Sequence, residues 1–307
     1  MAAATLILQD LAKRYDGRFA VDGLSFAVPA GAIFGVLGPN GAGKSTTMRM
    51  IVGVLKPDRG AITLFGAAPT MPALRRVGYL PEERGLYRSM TPRAVIAYYV
   101  RLKGLPAREA WERADALLER HGLGAWGRRR IKALSKGMAQ KVQILAAIAH
   151  EPDFLILDEP FSGLDPVNQR DVEMLIRDAV GRGAAVLFST HVMEHAERMC
   201  DHIVLIAQGK AVFEGAVEEA LALSPRTATL ETEGAFDLAA ALAPAGLKVE
   251  AIGAEEGRRR WRAPLDAPDA SRRLLAACAA AGAPLLLYEP QRATLHDAFV
   301  RLVGGAP

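Results

Sequence analysis

The fold of this chain follows from one run of residues, Gly38-Pro39-Asn40-Gly41-Ala42-Gly43-Lys44-Ser45-Thr46. The run satisfies G-x-x-x-x-G-K-[ST] in full, comes directly after the apolar segment 33–37, and begins a helical pattern over 44–54. Its glycines let the backbone curl so that N–H groups point at phosphate oxygens, and the N-terminus of the helix adds its dipole. We therefore expect a phosphate-binding loop, with Lys44 on the β- and γ-phosphates of a nucleotide and Ser45 as a ligand of Mg²⁺.

A second motif, Phe154-Leu155-Ile156-Leu157-Asp158-Glu159-Pro160, consists of an apolar run followed by two adjacent carboxylates. Because the carboxyl ends of parallel strands meet at one edge of a sheet, we expect Asp158 and Glu159 beside the phosphate loop. Asp158 would hold Mg²⁺ directly or through water, and Glu159 would polarise the attacking water as a general base. A strand that ends in Asp-Glu is common by itself, but its combination with the loop favours the functional interpretation.

Apolar strands alternate with helical patterns along most of the chain, which predicts an α/β fold with a parallel sheet covered on both faces. The predicted strands are 5–9, 24–28, 33–37, 154–157 and 184–189, and the predicted helices are 44–54, 93–103, 107–121, 136–149 and 167–180. After about residue 224 the pattern changes to βαββαβ, which predicts a small α+β domain with a split βαβ arrangement of the ferredoxin-like kind. Its predicted elements are 227–231, 236–244, 247–252, 258–263, 268–281 and 284–289, with a turn at 255–257 and a last helix at 294–302. We therefore expect two domains, 1–224 and 225–307.

The composition is that of a globular protein: of 307 residues, 50% are hydrophobic and 23% are charged. The net charge of +4 lies before the second domain and forms no Lys/Arg tail, so no nucleic-acid partner is expected. The triplets Arg128–Arg130 and Arg258–Arg260 are interpreted as solvated faces. Cys200 and Cys278 are expected to be reduced core residues of a cytoplasmic protein. No signal peptide or membrane span is expected, because the longest uncharged apolar run, 274–288, is shorter than the ~20 residues that a span needs.

A third motif, Leu134-Ser135-Lys136-Gly137-Met138-Ala139-Gln140, opens the helix that leads to the acidic strand. It resembles the signature sequence of ABC-type ATPases. The order of motifs also matches theirs: phosphate loop, helical insert, signature, acidic strand, Ser162-Gly163-Leu164-Asp165, then Ser189-Thr190-His191. The resemblance covers about residues 4–222. It implies a P-loop NTPase fold of the ABC ATPase type with a helical subdomain at about 84–150, and binding of ATP and Mg²⁺.

In ABC ATPases the signature of one chain caps the γ-phosphate held by the phosphate loop of another, so that ATP joins two domains head to tail. The resemblance therefore implies that Ser135 and Gly137 bind the nucleotide of a second copy in a homodimer, or of a paired ABC ATPase. It also implies that His191 contacts the γ-phosphate and that Asp165 links the two sites. Tyr15 matches the aromatic residue that stacks on adenine; the alternative is a tyrosine packed against the first sheet.

The chain departs from the family pattern at three positions. Glu82 stands where the family usually has Gln as a contact to Mg²⁺ and water; a carboxylate can still ligate Mg²⁺, with an added negative charge near the phosphates. Lys136 and Met138 stand where Gly and Gln are common in the signature. These variations resemble those of exporter ATPases of the sodium-efflux type, a subset with a C-terminal extension that ends much like residues 290–304.

The run His191-Val192-Met193-Glu194-His195 matches the zinc-peptidase pattern H-x-x-E-H. A zinc site needs both histidines on one helical face together with a third protein ligand. His191 follows the strand 184–189 and is expected to precede the helix. A metallopeptidase is therefore disfavoured, and His195 is expected on the surface of a helix.

The favoured function is that of an ATPase subunit whose dimer closure drives a separate integral membrane permease, with export favoured over import. The resemblance implies that the helical region at about 83–103 contacts the permease, which would hold the chain at the cytoplasmic face of the membrane. A soluble ABC-type ATPase of translation or DNA repair is the alternative, although the paired cassettes or long coiled coils of those proteins do not occur in this sequence. For 225–307 two interpretations stay open, a ligand-sensing or dimerising module and a passive structural cap.

Overall fold

The computed structural model of the chain describes residues 4–83, 85–224, 226–234, 236–255 and 257–304. By its internal contacts the chain divides into two compact units, 1–217 and 218–307. Three predicted positions lie outside the described residues and stay predictions: the start of the helical subdomain at Arg84, the start of the second domain at Pro225, and the middle of the turn at Glu256. Within the described ranges, no helix is both long enough and apolar enough to cross a membrane.

The first unit alternates strands and helices. Its strands are β1 (Ala4–Tyr15), β2 (Arg18–Pro29), β3 (Ile33–Leu37), β4 (Arg59–Leu64), β5 (Val77–Leu80), β6 (Phe154–Asp158), β7 (Ala185–Thr190), β8 (His202–Ala207) and β9 (Lys210–Ala216). Its helices are α1 (Lys44–Ile51), α2 (Met71–Arg75), α3 (Pro92–Leu102), α4 (Ala107–Arg120), α5 (Lys136–Ile148), α6 (Pro166–Gly181) and α7 (Met193–Met199). Short 3₁₀ turns lie at Gly124–Trp126 and Ile131–Ala133.

The central sheet has the strand order β5-β6-β7-β3-β8-β9, and its strands are parallel except for β9, which runs antiparallel to β8. Side chains of β6 alternate between two cores: Phe154 and Ile156 pack with α1 and β1, whereas Leu155 and Leu157 pack with α5 and α6. Because both faces are covered, every residue of β3, β6 and β7 is buried. The predicted α/β fold is confirmed, and the parallel strands bring the segments that follow β3, β6 and β7 to one edge of the sheet.

Helices α3, α4 and α5 pack together beside this sheet, within the region predicted as a helical subdomain. The Thr91 hydroxyl caps α3 by accepting a hydrogen bond from the Ala94 N–H at 3.2 Å. Three small or aliphatic residues of α4 recur every four positions and are buried: Ala110, Ala114 and Leu118. This spacing places them on one face of the helix, which is the reason that α4 packs where it does.

Several boundaries differ from the predicted ones. Strands β1 and β2 form a hairpin of 12 residues on each side of the Asp16-Gly17 turn, much longer than predicted. Helix α1 ends at Ile51 rather than at residue 54, because Gly53 takes a left-handed backbone conformation (φ 74°). Strands β4, β8 and β9 were not predicted. The apolar run of β8 is buried on both faces, and such a run carries no alternation that separates a strand from a helix.

The second unit is described by itself. Its elements are α8 (from Val217, at the boundary, to Ala222), β10 (Thr227–Glu233), α9 (Leu238–Leu242), a 3₁₀ turn (Ala243–Ala245), β11 (Glu250–Glu255), β12 (Arg258–Pro264), α10 (Ala270–Ala280), β13 (Leu285–Gln291) and α11 (Leu295–Gly304). The sheet order is β11-β12-β10-β13 with antiparallel neighbours, which confirms the predicted split βαβ arrangement. The buried Trp261 donates its indole N–H to Thr232 Oγ1 at 2.9 Å and centres the core. Strand β11 begins later than predicted, after Gly246 has ended the 3₁₀ turn with φ 69°.

Candidate functional site

The predicted phosphate loop connects β3 to α1 and has no room for side chains at two of its glycines. A Cβ atom at Gly38 would overlap the carbonyl oxygen of Ile206, and one at Gly43 would overlap that of Ala20. Gly43 also has φ 105°, a conformation that L side chains rarely adopt. Ala42 is buried behind the loop, and its carbonyl accepts a hydrogen bond from the backbone N–H of Gly209 at 3.2 Å. The loop is therefore held in one curled shape by the surrounding backbone.

Lys44, the first residue of α1, is buried inside the curl of the loop, with 6% of its surface exposed. Its ammonium group donates to the carbonyl oxygens of Gly38 at 2.8 Å and Pro39 at 3.2 Å. It also forms an ion pair with Glu159 Oε1 at 3.5 Å. A buried ammonium group at the centre of a ring of backbone dipoles is suited to bind phosphate oxygens.

Three oxygen atoms converge where α1 faces the end of β6. Ser45 Oγ lies 3.2 Å from Glu82 Oε2 and 3.2 Å from Asp158 Oδ1. Neighbouring ligands of an octahedral Mg²⁺ ion with bonds of ~2.1 Å lie ~3.0 Å apart, so these separations fit the ion that was predicted from the sequence. Among the described residues, none makes a hydrogen bond to the buried Asp158 Oδ2. This free lone pair and the all-oxygen donor set fit Mg²⁺.

The charge on Asp158 is set by burial and by its neighbours. Burial raises the pKa of this carboxyl group, and the nearby Glu82 and Glu159 carboxylates raise the pKa further. Hydrogen bonds from the hydroxyl groups of Ser189 and Ser45 oppose that rise. A bound cation would favour the charged form of Asp158, which this pocket otherwise disfavours.

Ser189 is a residue of the site whose role the sequence did not indicate. It is fully buried at the end of β7, donates its hydroxyl hydrogen to Asp158 Oδ1 at 2.5 Å, and accepts the backbone N–H of Glu159 at 3.0 Å. One hydroxyl group thus positions both acidic residues. A serine directly before Thr190-His191 at the end of an apolar strand was the available signal, because a polar side chain there faces the functional edge of the sheet.

Glu159 and His191 form a second polar pair at the same edge. Glu159 Oε1 lies 3.0 Å from His191 Nδ1, and the same oxygen pairs with Lys44 Nζ at 3.5 Å. Glu159 is buried and takes a left-handed backbone conformation (φ 50°), which is uncommon for a residue other than glycine and clusters at functional sites. The side chain of His191 is 45% exposed, so it can reach a molecule in the cleft. The arrangement presents a buried carboxylate with two nitrogen groups at one of its oxygens.

The phosphate loop lines an open cleft of about 360 Å³ together with Tyr15, Glu82 and Glu159. The loop residues on its wall are Asn40, Gly41, Gly43, Lys44, Ser45 and Thr46. Tyr15 ends β1 with 47% of its surface exposed, so the structure favours the position beside a bound base over packing against the sheet. The structure therefore brings together the predicted residues of the loop, Glu82, Asp158, Glu159, His191 and Tyr15.

The signature residues and Asp165 lie apart from this cleft. Ser135 is exposed at the N-terminus of α5, where its hydroxyl accepts the Met138 N–H at 3.2 Å. Gly137 lies against the side chain of Asn168, which a Cβ atom would meet at 2.7 Å. Asp165 caps α6 by accepting the backbone N–H and the side-chain N–H of Asn168 at 3.0 and 2.6 Å, and these hydrogen bonds lower its pKa. None of Ser135, Gly137 and Asp165 lines the wall of the cleft on this chain as described.

The two histidines of the H-x-x-E-H run point to different partners. His191 precedes α7 and contacts Glu159, whereas His195 lies within α7 and is buried, with its ring 4.4 Å from the ring of Phe161. The prediction of His195 on a helix surface was wrong, because the face of α7 that carries this residue packs against Phe161. Within the described ranges there is no group of three His, Cys, Asp or Glu residues that could hold a metal ion.

Comparison with known proteins agrees with this geometry. The sequence profile of the family described as ABC transporter matches residues 21–162. The uncharacterized ABC transporter ATP-binding protein YhaQ of Bacillus subtilis is 34% identical, covering 97% of this chain and 98% of its own. The Nod factor export ATP-binding protein I of Ralstonia nicotianae is 35% identical, covering 97% of this chain and 94% of its own. A solved ATP-binding subunit of an ABC transporter superposes with a TM-score of 0.65 at 33% identity, over 70% of this chain and 91% of that one. The chain therefore belongs to the ATP-binding subunits of ABC transporters, a family of P-loop ATPases.

Proposed function

We propose that the chain hydrolyses ATP with Mg²⁺ in this cleft, at the interface of a head-to-tail dimer, and that this hydrolysis powers a separate membrane permease. The observation that carries the proposal is the convergence of Lys44, Glu159 and His191 next to the oxygen cluster around Asp158. Backbone N–H groups of the loop and Lys44 would bind the phosphates. Ser45, Glu82 and Asp158 would hold Mg²⁺, which when bound neutralises phosphate charge.

Glu159 is the group that we assign as general base. A carboxylate whose Oε1 contacts both Lys44 and His191 stays oriented, and its remaining lone pairs can accept the proton of a water molecule as the water oxygen attacks the γ-phosphorus. The bond from that phosphorus to the bridging oxygen breaks, and the electron pair leaves with ADP. His191, hydrogen-bonded to Glu159 and partly exposed, would contact the departing phosphate.

The position of the signature supports the dimer. Ser135 and Gly137 lie at the N-terminus of α5, where unpaired backbone N–H groups favour an anion, but this chain places them away from its own phosphate loop. A second copy, or a paired ABC ATPase, would present these residues to the nucleotide. Asp165 lies beside the signature through Asn168 and would connect the two sites.

The permease and the direction of transport are proposed from the relatives. The Bacillus subtilis relative and the solved ATP-binding subunit are named as parts of ABC transporters, and the Nod factor relative is named for export. The described part of this chain holds no helix that could span a membrane, so the transport pathway would belong to another subunit. We assign residues 83–103 as the contact to that permease at the cytoplasmic face of the membrane, residues 1–224 as the ATP-binding domain, and 225–307 as an accessory domain.

The substitution Glu159→Gln tests the assignment. It keeps the size of the side chain and removes the base, so we expect ATP turnover to fall by about 10²–10⁴-fold while nucleotide binding persists. A dimer stabilised by ATP should then accumulate, measured by light scattering. Glu194→Gln, the same chemical change at an exposed position of α7, is the matched control and should leave turnover unchanged. Persistent turnover of Glu159→Gln without an ATP-dependent dimer would refute the assignment.

A pull-down from membrane and soluble fractions tests the transport part separately. Copurification of the tagged chain with a multi-helix membrane protein is the expected result. Copurification with ribosomes or DNA instead would favour a soluble ABC ATPase of translation or DNA repair.

A further inference from the structure

The chain carries two arginine triplets, and the structure places them in opposite electrostatic surroundings. Arg258–Arg260 lies on β12 among acidic neighbours: Arg260 Nε pairs with Glu231 at 2.7 Å, and Arg258 lies 4.0 Å from the same carboxylate. In the sheet, Arg258 is also directly opposite Glu255 of β11. The charge of this triplet is therefore largely compensated within its own domain.

Arg128–Arg130 lies in the turn and bend that join the two 3₁₀ turns, and further cations lie near it. The backbone N–H of Lys132 donates to the carbonyl of Arg88 at 3.2 Å, which brings the backbone of Arg88 close to the segment that follows the triplet. All of these cationic residues are exposed. We call this surface the basic face and define it by Arg88, Arg128, Arg129, Arg130 and Lys132.

The cations of the basic face form no ion pairs among the described residues, although Arg128 lines a surface pocket together with Asp115 and Glu119. Within the part of the chain that the structure describes, none of its five side chains forms an ion pair with a carboxylate. The neighbouring Asp115 is occupied by Arg93, which binds it through two hydrogen bonds of 2.5 and 2.7 Å. A concentration of unpaired cations on a small surface creates a positive field that attracts an anionic partner.

Aromatic side chains border the basic face. The guanidinium group of Arg129 covers the ring of Trp126, with 4.7 Å from Cζ to the ring centroid. Tyr87, next to Arg88, is 56% exposed, and its ring meets that of Tyr98 edge-on at 6.5 Å. Amphipathic rings beside arginine are typical of surfaces that rest at the headgroup level of a membrane. The Trp126 ring is covered by Arg129 and does not offer a free face on which a nucleic-acid base could stack.

We propose that the basic face binds the anionic headgroups of a phospholipid bilayer directly. The phosphate oxygens of acidic lipids would pair with guanidinium and ammonium groups that have no acidic partner within the described chain, and the tyrosines would lie at the level of the headgroups. Arg88, Tyr87 and Tyr98 belong to the segment 83–103 that we assign to the permease, whereas Arg128–Arg130 and Lys132 lie outside it. This interaction goes beyond the proposed function, because it needs neither ATP nor a second copy nor the permease.

Co-sedimentation of the full-length chain with protein-free vesicles tests the proposal. We expect binding to vesicles of equal parts phosphatidylcholine and phosphatidylglycerol, and far weaker binding to phosphatidylcholine alone. The triple variant R128Q/R129Q/R130Q removes three surface charges, each contributing roughly fivefold to the partition coefficient, so its binding should fall by about 100-fold. Its melting temperature and its basal ATP hydrolysis should not change, because the substituted side chains are exposed and lie outside the cleft.

The variant R262Q/R272Q/R273Q is the matched control, since it removes the same charge from exposed positions of the second unit. Its partition coefficient should stay within about twofold of the unmodified chain. The proposal is overturned if the two triple variants lose binding equally, which would indicate net charge alone. It is also overturned if the chain binds only vesicles that contain the permease, or if single-stranded RNA binds the chain as tightly as the acidic vesicles do. Each of these outcomes leaves the assignment of Glu159 untouched.

Discussion

Replacing Ser189 by alanine removes the hydroxyl group that holds both acidic residues of the cleft. The change deletes one hydrogen bond of 2.5 Å to the Asp158 carboxylate and leaves the backbone N–H of Glu159 without its acceptor. A buried hydrogen bond to a charged group contributes about 1.5–3 kcal/mol, and a buried N–H group left without a partner costs about 1–3 kcal/mol. We therefore expect the free energy of unfolding to fall by about 3 kcal/mol near neutral pH.

The loss should depend on pH in a defined direction. Burial already raises the pKa of Asp158, and removing the Ser189 donor raises this pKa further. A group whose pKa is higher in the folded state than in the unfolded state contributes stability at low pH, and that contribution is lost as pH rises through the folded pKa. The penalty of Ser189→Ala should therefore shrink as pH falls through the pKa of Asp158, because the protonated carboxyl group no longer needs a donor.

Urea unfolding without nucleotide, measured in a pH series downward from pH 8, is the assay. The variants are Ser189→Ala, Asp158→Asn and the double variant, so that the cycle isolates the energy of the pair. Ser162→Ala is the control, since this serine is exposed and its loss should change stability by less than about 0.5 kcal/mol. A coupling energy below about 0.5 kcal/mol between Ser189 and Asp158, or a penalty that grows as pH falls, would refute the reasoning.

Two further changes follow from the backbone and from a half-buried histidine whose ring nitrogens are buried. Gly43→Ala should lower the free energy of unfolding by more than about 3 kcal/mol and abolish ATP binding, since its Cβ would overlap the Ala20 carbonyl. Gly41→Ala, at a position with φ 81° and open space, should lower the free energy of unfolding by only about 1–2 kcal/mol. Urea unfolding and nucleotide titration measure the two effects. Burial, then the charge of Lys103, lowers the pKa of His150 to about 4, so the folded state resists protonation and loses stability as pH falls from about 6.5 toward 4. Between pH 7.5 and 5, the free energy of unfolding of His150→Leu should therefore fall by about 2 kcal/mol less than that of the unmodified chain, as measured by urea unfolding. An equal fall in both proteins would contradict the assigned burial of the imidazole.

Local sequence chemistry was enough to predict the phosphate loop and the strand that precedes it. Gly43 must be glycine because of its backbone angle and its contact with Ala20. The need for glycine arises from a tight curl directly before a helix, so a motif of a few residues is enough to predict it. The apolar run that ends in Asp158 and Glu159 likewise predicts a buried strand with carboxylates at its end, since a strand covered on both faces has no polar alternation. The βαββαβ order of the second unit followed from the same kind of local pattern.

Residues that depend on distant partners could not be assigned in this way. Ser45 and Asp158 are 113 positions apart, and only the parallel order of β3, β7 and β6 brings α1 and the end of β6 within hydrogen-bond distance. Ser189 carried no motif of its own, and its two hydrogen bonds exist because β7 lies next to β6. His195 was misplaced for the same reason, since its burial depends on Phe161 and not on the pattern of α7.

The two arginine triplets show a property that the sequence did not predict and that the tertiary structure determined. As sequences Arg128–Arg130 and Arg258–Arg260 are identical, and composition predicts a solvated face for each. Sheet pairing places Glu231 beside one triplet, whereas a backbone contact between Arg88 and Lys132 adds further cations to the other. Local propensity depends on neighbouring residues in the sequence and can be predicted from them. The electrostatic environment of a side chain depends on all charges that folding brings near it, so only the tertiary structure determines it.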